Sequence, residues 1–96
     1  MSDVVSMRLA ALTRVGKEFK SNLARLRKAK LQYGDCRLPP SKQSKLIADI
    51  KTAKGDLEQA IAKYAVLASA DDETSRYIEL ARDVLCDCNE MLKLLL

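Results

Sequence analysis

Cys86-Asp87-Cys88 has the composition of a metal site, and Cys36 offers a third thiol. The spacing argues against it. Residues two apart on a helix point about 200° away from each other, so Cys86 and Cys88 cannot chelate one ion. The chain has no histidine. That removes the commonest metal ligand and the commonest general acid–base, and with it every Ser-His-Asp or Cys-His arrangement. Cys88 therefore reads as a small buried apolar residue and Cys86 as a surface or interface residue. No metal ligand set, cofactor site or catalytic residue is assigned. Gly16, Gly34 and Gly55 lie too far apart to form a phosphate-cradling loop. Asp71, Asp72 and Glu73 form an acidic cluster that the start of a helix explains without a cation.

The remaining chemistry is electrostatic. The 96 residues carry a formal charge of +4, unevenly distributed. Residues 1–66 hold 14 Lys/Arg against 6 Asp/Glu, whereas residues 67–96 hold 3 against 7. The segment 8–30 contains Arg8, Arg14, Lys17, Lys20, Arg25, Arg27, Lys28 and Lys30, with Glu18 the only acid. At about 100° per residue, Arg14, Lys17, Arg25 and Lys28 share one face, opposite Leu12, Phe19 and Leu26. This basic ridge is the candidate track for phosphates or for an acidic protein surface. A second candidate is apolar: Leu92, Leu94, Leu95 and Leu96 point in nearly every direction from a helix, and Leu80 lies off the main face. That surface predicts docking to another molecule.

Helices must position these groups. Val5, Leu12, Phe19, Leu26 and Tyr33 recur every seven residues, flanked by Leu9, Val15, Leu23 and Ala29, and predict a helix over about 3–33. Its expected length is roughly 45 Å. Ser2 or Asp3 is the expected N-cap, and Gly16 is read as a point of close helix packing. Gly34-Asp35 and Pro39-Pro40 end this helix. A second is predicted over about 41–69, through Leu46, Ile47, Ile50, Ala53, Leu57, Ala60, Ile61, Tyr64 and Leu67. Ser69 or Asp71 caps a third over about 72–95, whose Tyr77, Ile78, Ala81, Val84, Leu85, Cys88, Met91, Leu92 and Leu95 form one broad apolar face. The predicted core is Leu12, Phe19, Leu26, Ile50, Leu57, Ile61, Val84, Leu85 and Cys88.

The expected fold is all-α over a single domain, 1–96. It is either an antiparallel up-down-up bundle or a coiled-coil-like hairpin plus a third helix. The short connection makes the first two helices the expected neighbours. The basic first helix and acidic third helix could pair between chains. No apolar run is long enough for a membrane span, and the N-terminal residues lack a secretory pattern. With an odd number of cysteines, these features predict a cytoplasmic protein with reduced thiols. The resulting expectation is a non-catalytic interaction module, such as an adaptor, assembly subunit, chaperone-like factor or inhibitor. It would work by docking to a protein partner or by forming a homo-oligomer. The alternative is a nucleic-acid-binding protein that uses the basic ridge.

Overall fold

The computed structural model describes residues 2–66 and 72–96. Three helices account for nearly all of them: α1 (Ser2–Tyr33), α2 (Pro40–Ala65) and α3 (Asp72–Leu95). There is no strand among the described residues, and the molecule is an all-α bundle with a long axis of 47 Å. The ends of α1 and the start of α2 follow the punctuation in the sequence. Gly34 adopts φ 78°, and its amide donates to Lys30 O at 2.9 Å, a cap that a β-carbon would strain. Pro39 precedes α2 and Pro40 opens it, where a missing N–H costs nothing. α2 ends at Ala65, earlier than the expected 69. Leu67, Ser69 and Asp71 lie outside the described residues, as do the side chains of Ser2 and Asp3.

The helix order in space differs from the expected one. α1 and α2 both pack on α3, and no Cα of α1 lies within 8 Å of one in α2. The contacts fix the directions. Ser6 meets Glu73, Lys20 meets Asp83 and Asp87, and Arg27 meets Glu90, so α1 and α3 run parallel. Gln43 meets Leu95 and Tyr64 meets Tyr77, so α2 runs antiparallel to α3. The chain is thus up-down-up, with its last helix in the centre.

The reason lies in the width of the apolar faces. A helix between two others must be apolar over two flanks. Only α3 qualifies: Tyr77, Ile78, Ala81, Val84, Cys88, Met91, Leu92 and Leu95 are all buried, four of them completely. α1 contributes Leu12, Leu23 and Leu26, and α2 contributes Ile50, Leu57 and Tyr64. At the α1–α3 crossing Gly16 is buried, and a β-carbon placed there would stand 3.1 Å from Val84 Cγ2. Close packing at Gly16 is therefore what the structure contains. Three residues of the predicted core sit at its edge instead. Phe19, Ile61 and Leu85 pack against the core but remain partly exposed. Each outer helix has a single neighbour, so residues at the seam margins are covered from one side only.

The carboxyl end of α3 is held by the α1–α2 connection. Lys30 Nζ and Cys36 Sγ both donate to Leu94 O at 3.4 Å, and Gln43 Nε2 donates to Leu95 O at 2.8 Å. These carbonyls have no partner within the helix, and a cation beside them also suits the helix dipole.

Candidate functional site

Because α1 and α2 stand apart, the surface between them is concave. Toward the α1–α2 connection it deepens into a cavity of about 380 Å³. Leu26 is buried at its base, and Ala29, Cys36, Leu38 and Leu46 are half-buried around it. Arg25, Lys28, Gln32, Tyr33 and Arg37 are exposed along its margin. The Arg37 guanidinium lies over the Tyr33 ring, 4.2 Å from its centroid. Such stacking suits a planar cation on an aromatic face. Arg37 itself adopts φ 56°, and its amide donates to Asp35 Oδ1 at 2.8 Å, which fixes the turn. At the opposite end of the molecule the Arg8 guanidinium lies 5.5 Å from the Tyr64 ring centroid and bridges α1 to α2.

The basic ridge is exposed throughout, since Arg14, Lys17, Arg25 and Lys28 all face solvent. The groove divides it. Arg25 and Lys28 line the concave surface, whereas Arg14 and Lys17 do not. Among the described residues no carboxylate lies within 4 Å of any of the four. Their basic neighbours one face away are satisfied inside the chain. Lys20 Nζ is 3.1 Å from Asp87 and 3.3 Å from Asp83, and Arg27 pairs with Glu90. The charge complementarity between α1 and α3 that suggested pairing between chains is met within one chain. Hydrogen bonding and attraction from Asp87 and Asp83 raise the Lys20 pKa above 10.5. Sequence reasoning did not find Arg37, Leu38 and Leu46 as groove residues. Their signals were a basic residue beside a leucine in the turn, Arg37-Leu38, and the place of Leu46 in the apolar periodicity of the second helix.

The four C-terminal leucines separate into different environments. Leu92 and Leu95 are core residues, 8% and 5% exposed, and Leu94 is partly buried against that core. Leu96 alone is open, at 79%. An apolar docking surface made of all four is therefore corrected. Because α3 is central rather than peripheral, it has partners on two sides and covers what a flanking helix would expose. A second, shallower concavity beside Leu96 is bordered by Lys51, Lys54, Asn89 and Lys93.

The thiols are separated by burial as well as by direction. Cys86 is exposed, Cys36 is half-buried and Cys88 is buried. Burial, with a smaller effect from the Asp87 charge, pushes the Cys88 thiol up to about 11, so it is a protonated packing group at neutral pH. Among the described residues no three Cys, Asp or Glu side chains converge on a point that could hold a metal ion. No described helix is long and apolar enough to cross a membrane.

No family model, curated protein or solved structure matches the chain.

Proposed function

We propose that this chain is a non-catalytic helical interaction module that docks to a larger protein partner. The observation that carries the reading is the open groove between α1 and α2, apolar at its base and bordered by Arg25, Lys28 and Arg37. Adaptor, assembly subunit, chaperone-like factor and inhibitor all share this mode of action. Apolar contact in the groove supplies affinity, and the basic ridge steers encounter with an acidic surface. The reading includes a reduced, cytoplasmic setting, which fits three unpaired thiols.

A second reading draws on a separate observation. Arg14, Lys17, Arg25 and Lys28 are exposed in a row with no carboxylate within 4 Å among the described residues, which favours a nucleic acid backbone as ligand. Self-association is the third.

Affinity capture from the native host, with and without nuclease, tests all three. Proteins and nucleic acid are both identified, and the mass of the purified chain is measured by light scattering. A defined protein partner that survives nuclease supports the module reading. Recovery of nucleic acid alone, with duplex affinity falling steeply across a salt series, replaces it with the second. A stable homo-oligomer that captures nothing replaces it with the third.

A further inference from the structure

We propose that the α1–α2 groove takes one acidic amphipathic helix of about three turns, supplied by another protein. This rests on the interaction-module reading and names the chemistry of the partner.

Length comes first. The α1 wall of the groove runs from Asn22 to Tyr33, opposite Cys36, Arg37 and Leu38 of the connection and Leu46 of α2; its rise of roughly 16 Å matches about three turns of a docked helix. The geometry of the three helices agrees. α1 and α2 each flank α3 with no Cα of one within 8 Å of a Cα of the other, and a helix laid in the groove would complete a fourth position. Helices bind such grooves through apolar anchors at i, i+3, i+4 and i+7. Leu26, Leu38 and Leu46 give those anchors their contact surface.

Charge selects the occupant. Around the groove Arg25 and Lys28 have no carboxylate within 4 Å among the described residues, and Arg37 has only the exposed Asp35, at 4.0 Å. The acids of α3 that pair with Lys20 and Arg27 do not line the groove. A helix with Asp or Glu beside its apolar anchors supplies the missing charge, and like-charged helices are rejected. A second copy of this chain does not offer one. Its acidic helix, α3, has Ala81, Val84, Cys88 and Met91 wholly buried inside its own fold, and would have to unfold to present them. A nucleic acid backbone would engage Arg14 and Lys17 as readily as Arg25 and Lys28, and has no use for an apolar base.

The test uses the full chain and a panel of fluorescein-labelled peptides of about twelve residues. Each carries Leu at i, i+3, i+4 and i+7 in a Glu/Gln/Ala background. A Lys-for-Glu series and a DNA duplex run in parallel. Anisotropy gives affinity, and amide NMR shifts give the site. The expected result is binding of acidic peptides only, with shifts at Leu26, Ala29, Leu38 and Leu46. Arg25→Glu with Lys28→Glu is expected to weaken it by about tenfold or more, as two exposed attractions become repulsions. Arg14→Glu with Lys17→Glu, outside the groove, changes it less than about threefold. Circular dichroism confirms that both pairs of exposed substitutions leave the helices intact. Failure of every acidic peptide, shifts mapping elsewhere, or DNA binding weakened equally by both pairs overturns the inference. A partner captured from the host equally well by Arg25→Glu/Lys28→Glu also overturns it, while leaving the module reading standing.

Discussion

Replacing Gly16 by leucine should destabilise this protein, although the same change on an open helix would stabilise it. In an exposed helix interior, replacing Gly by Leu gains about 0.8 kcal/mol in helix propensity. Here a β-carbon already stands 3.1 Å from Val84 Cγ2, inside the ordinary contact distance of about 3.5–4.0 Å. Ala needs Val84 to yield by a few tenths of an ångström, and the propensity gain offsets that strain, so Gly16→Ala should change stability by less than about 1 kcal/mol. Leu adds three further carbons to a seam in which Val84 is wholly buried. Overpacking of that kind costs about 1–3 kcal/mol, which less the propensity gain leaves Gly16→Leu destabilised by about 0.2–2 kcal/mol. Val84→Ala alone removes two methyl groups, worth about 2–3 kcal/mol with its cavity. Combined, the two changes relieve each other, because the added leucine fills the space that the valine vacates. The double variant should exceed additivity by at least about 1 kcal/mol in a urea-denaturation cycle, or about 4–8 °C in Tm for a domain of this size. A Gly16→Leu protein more stable than the parent, or a cycle additive within about 0.5 kcal/mol, would refute the parallel α1–α3 register.

Four further outcomes are expected. Phe19→Ala should cost less than the roughly 3–5 kcal/mol of a fully buried phenylalanine, and less than Met91→Ala, because Phe19 is partly exposed and Met91 is not; thermal melts of the two rank them. Leu95→Ser should destabilise by more than about 2 kcal/mol while Leu96→Ser leaves the melt within about 0.5 kcal/mol, given 5% and 79% exposure. In native protein at pH 8, iodoacetamide followed by mass mapping should modify Cys86 first, Cys36 more slowly and Cys88 only on unfolding. Stability should fall with alkali from about pH 9: the Cys88 thiol is raised in the fold from 9.0 to about 11 and Lys20 above 10.5, so both contribute below their unfolded pKa values and lose that contribution as pH rises through the folded ones. Urea midpoints between pH 7 and 11 measure the slope, which Cys88→Ala should flatten.

Some of this architecture was legible in the sequence and some was not, for definite reasons. The face of α3 could be read almost residue by residue, because a helix buried on two flanks carries a wide periodic signal. Only Leu85 in that set is partly exposed. The end of α1 and the start of α2 were equally plain in Gly34 and Pro39-Pro40. Which helices touch was not plain. A short connection places α1 and α2 side by side by default, but Leu46, Ala53 and Ala60 of α2 remain only partly buried, since no helix covers that flank. The width of the α3 face was the clue to its central position, and it was read as excess surface instead. That is why Leu92 and Leu95, although placed on that face, were also assigned to a docking surface. The basic ridge was visible from angular arithmetic alone. Its division into groove and non-groove residues depends on where α2 lies, which no periodicity encodes.

The centrality of α3 also sets the order in which the chain can fold. Synthesis delivers α1 and α2 first, yet no Cα of one lies within 8 Å of a Cα of the other, and each finds its core partner only in residues 72–95. Until then the stripes of Leu12, Leu23 and Leu26 on one helix, and of Ile50 and Leu57 on the other, have nothing of their own chain to cover them. At elongation rates of about 5–20 residues per second, that exposure lasts seconds. Native pairings such as Ser6–Glu73 and Lys20–Asp87 each join residues 67 apart, an unusual span for a small helical protein, and loop closure over that distance slows folding. The chain is consequently assembled from its far end inward: a truncated product ending before α3 is a pair of sticky helices, and the arrival of the last segment converts both at once.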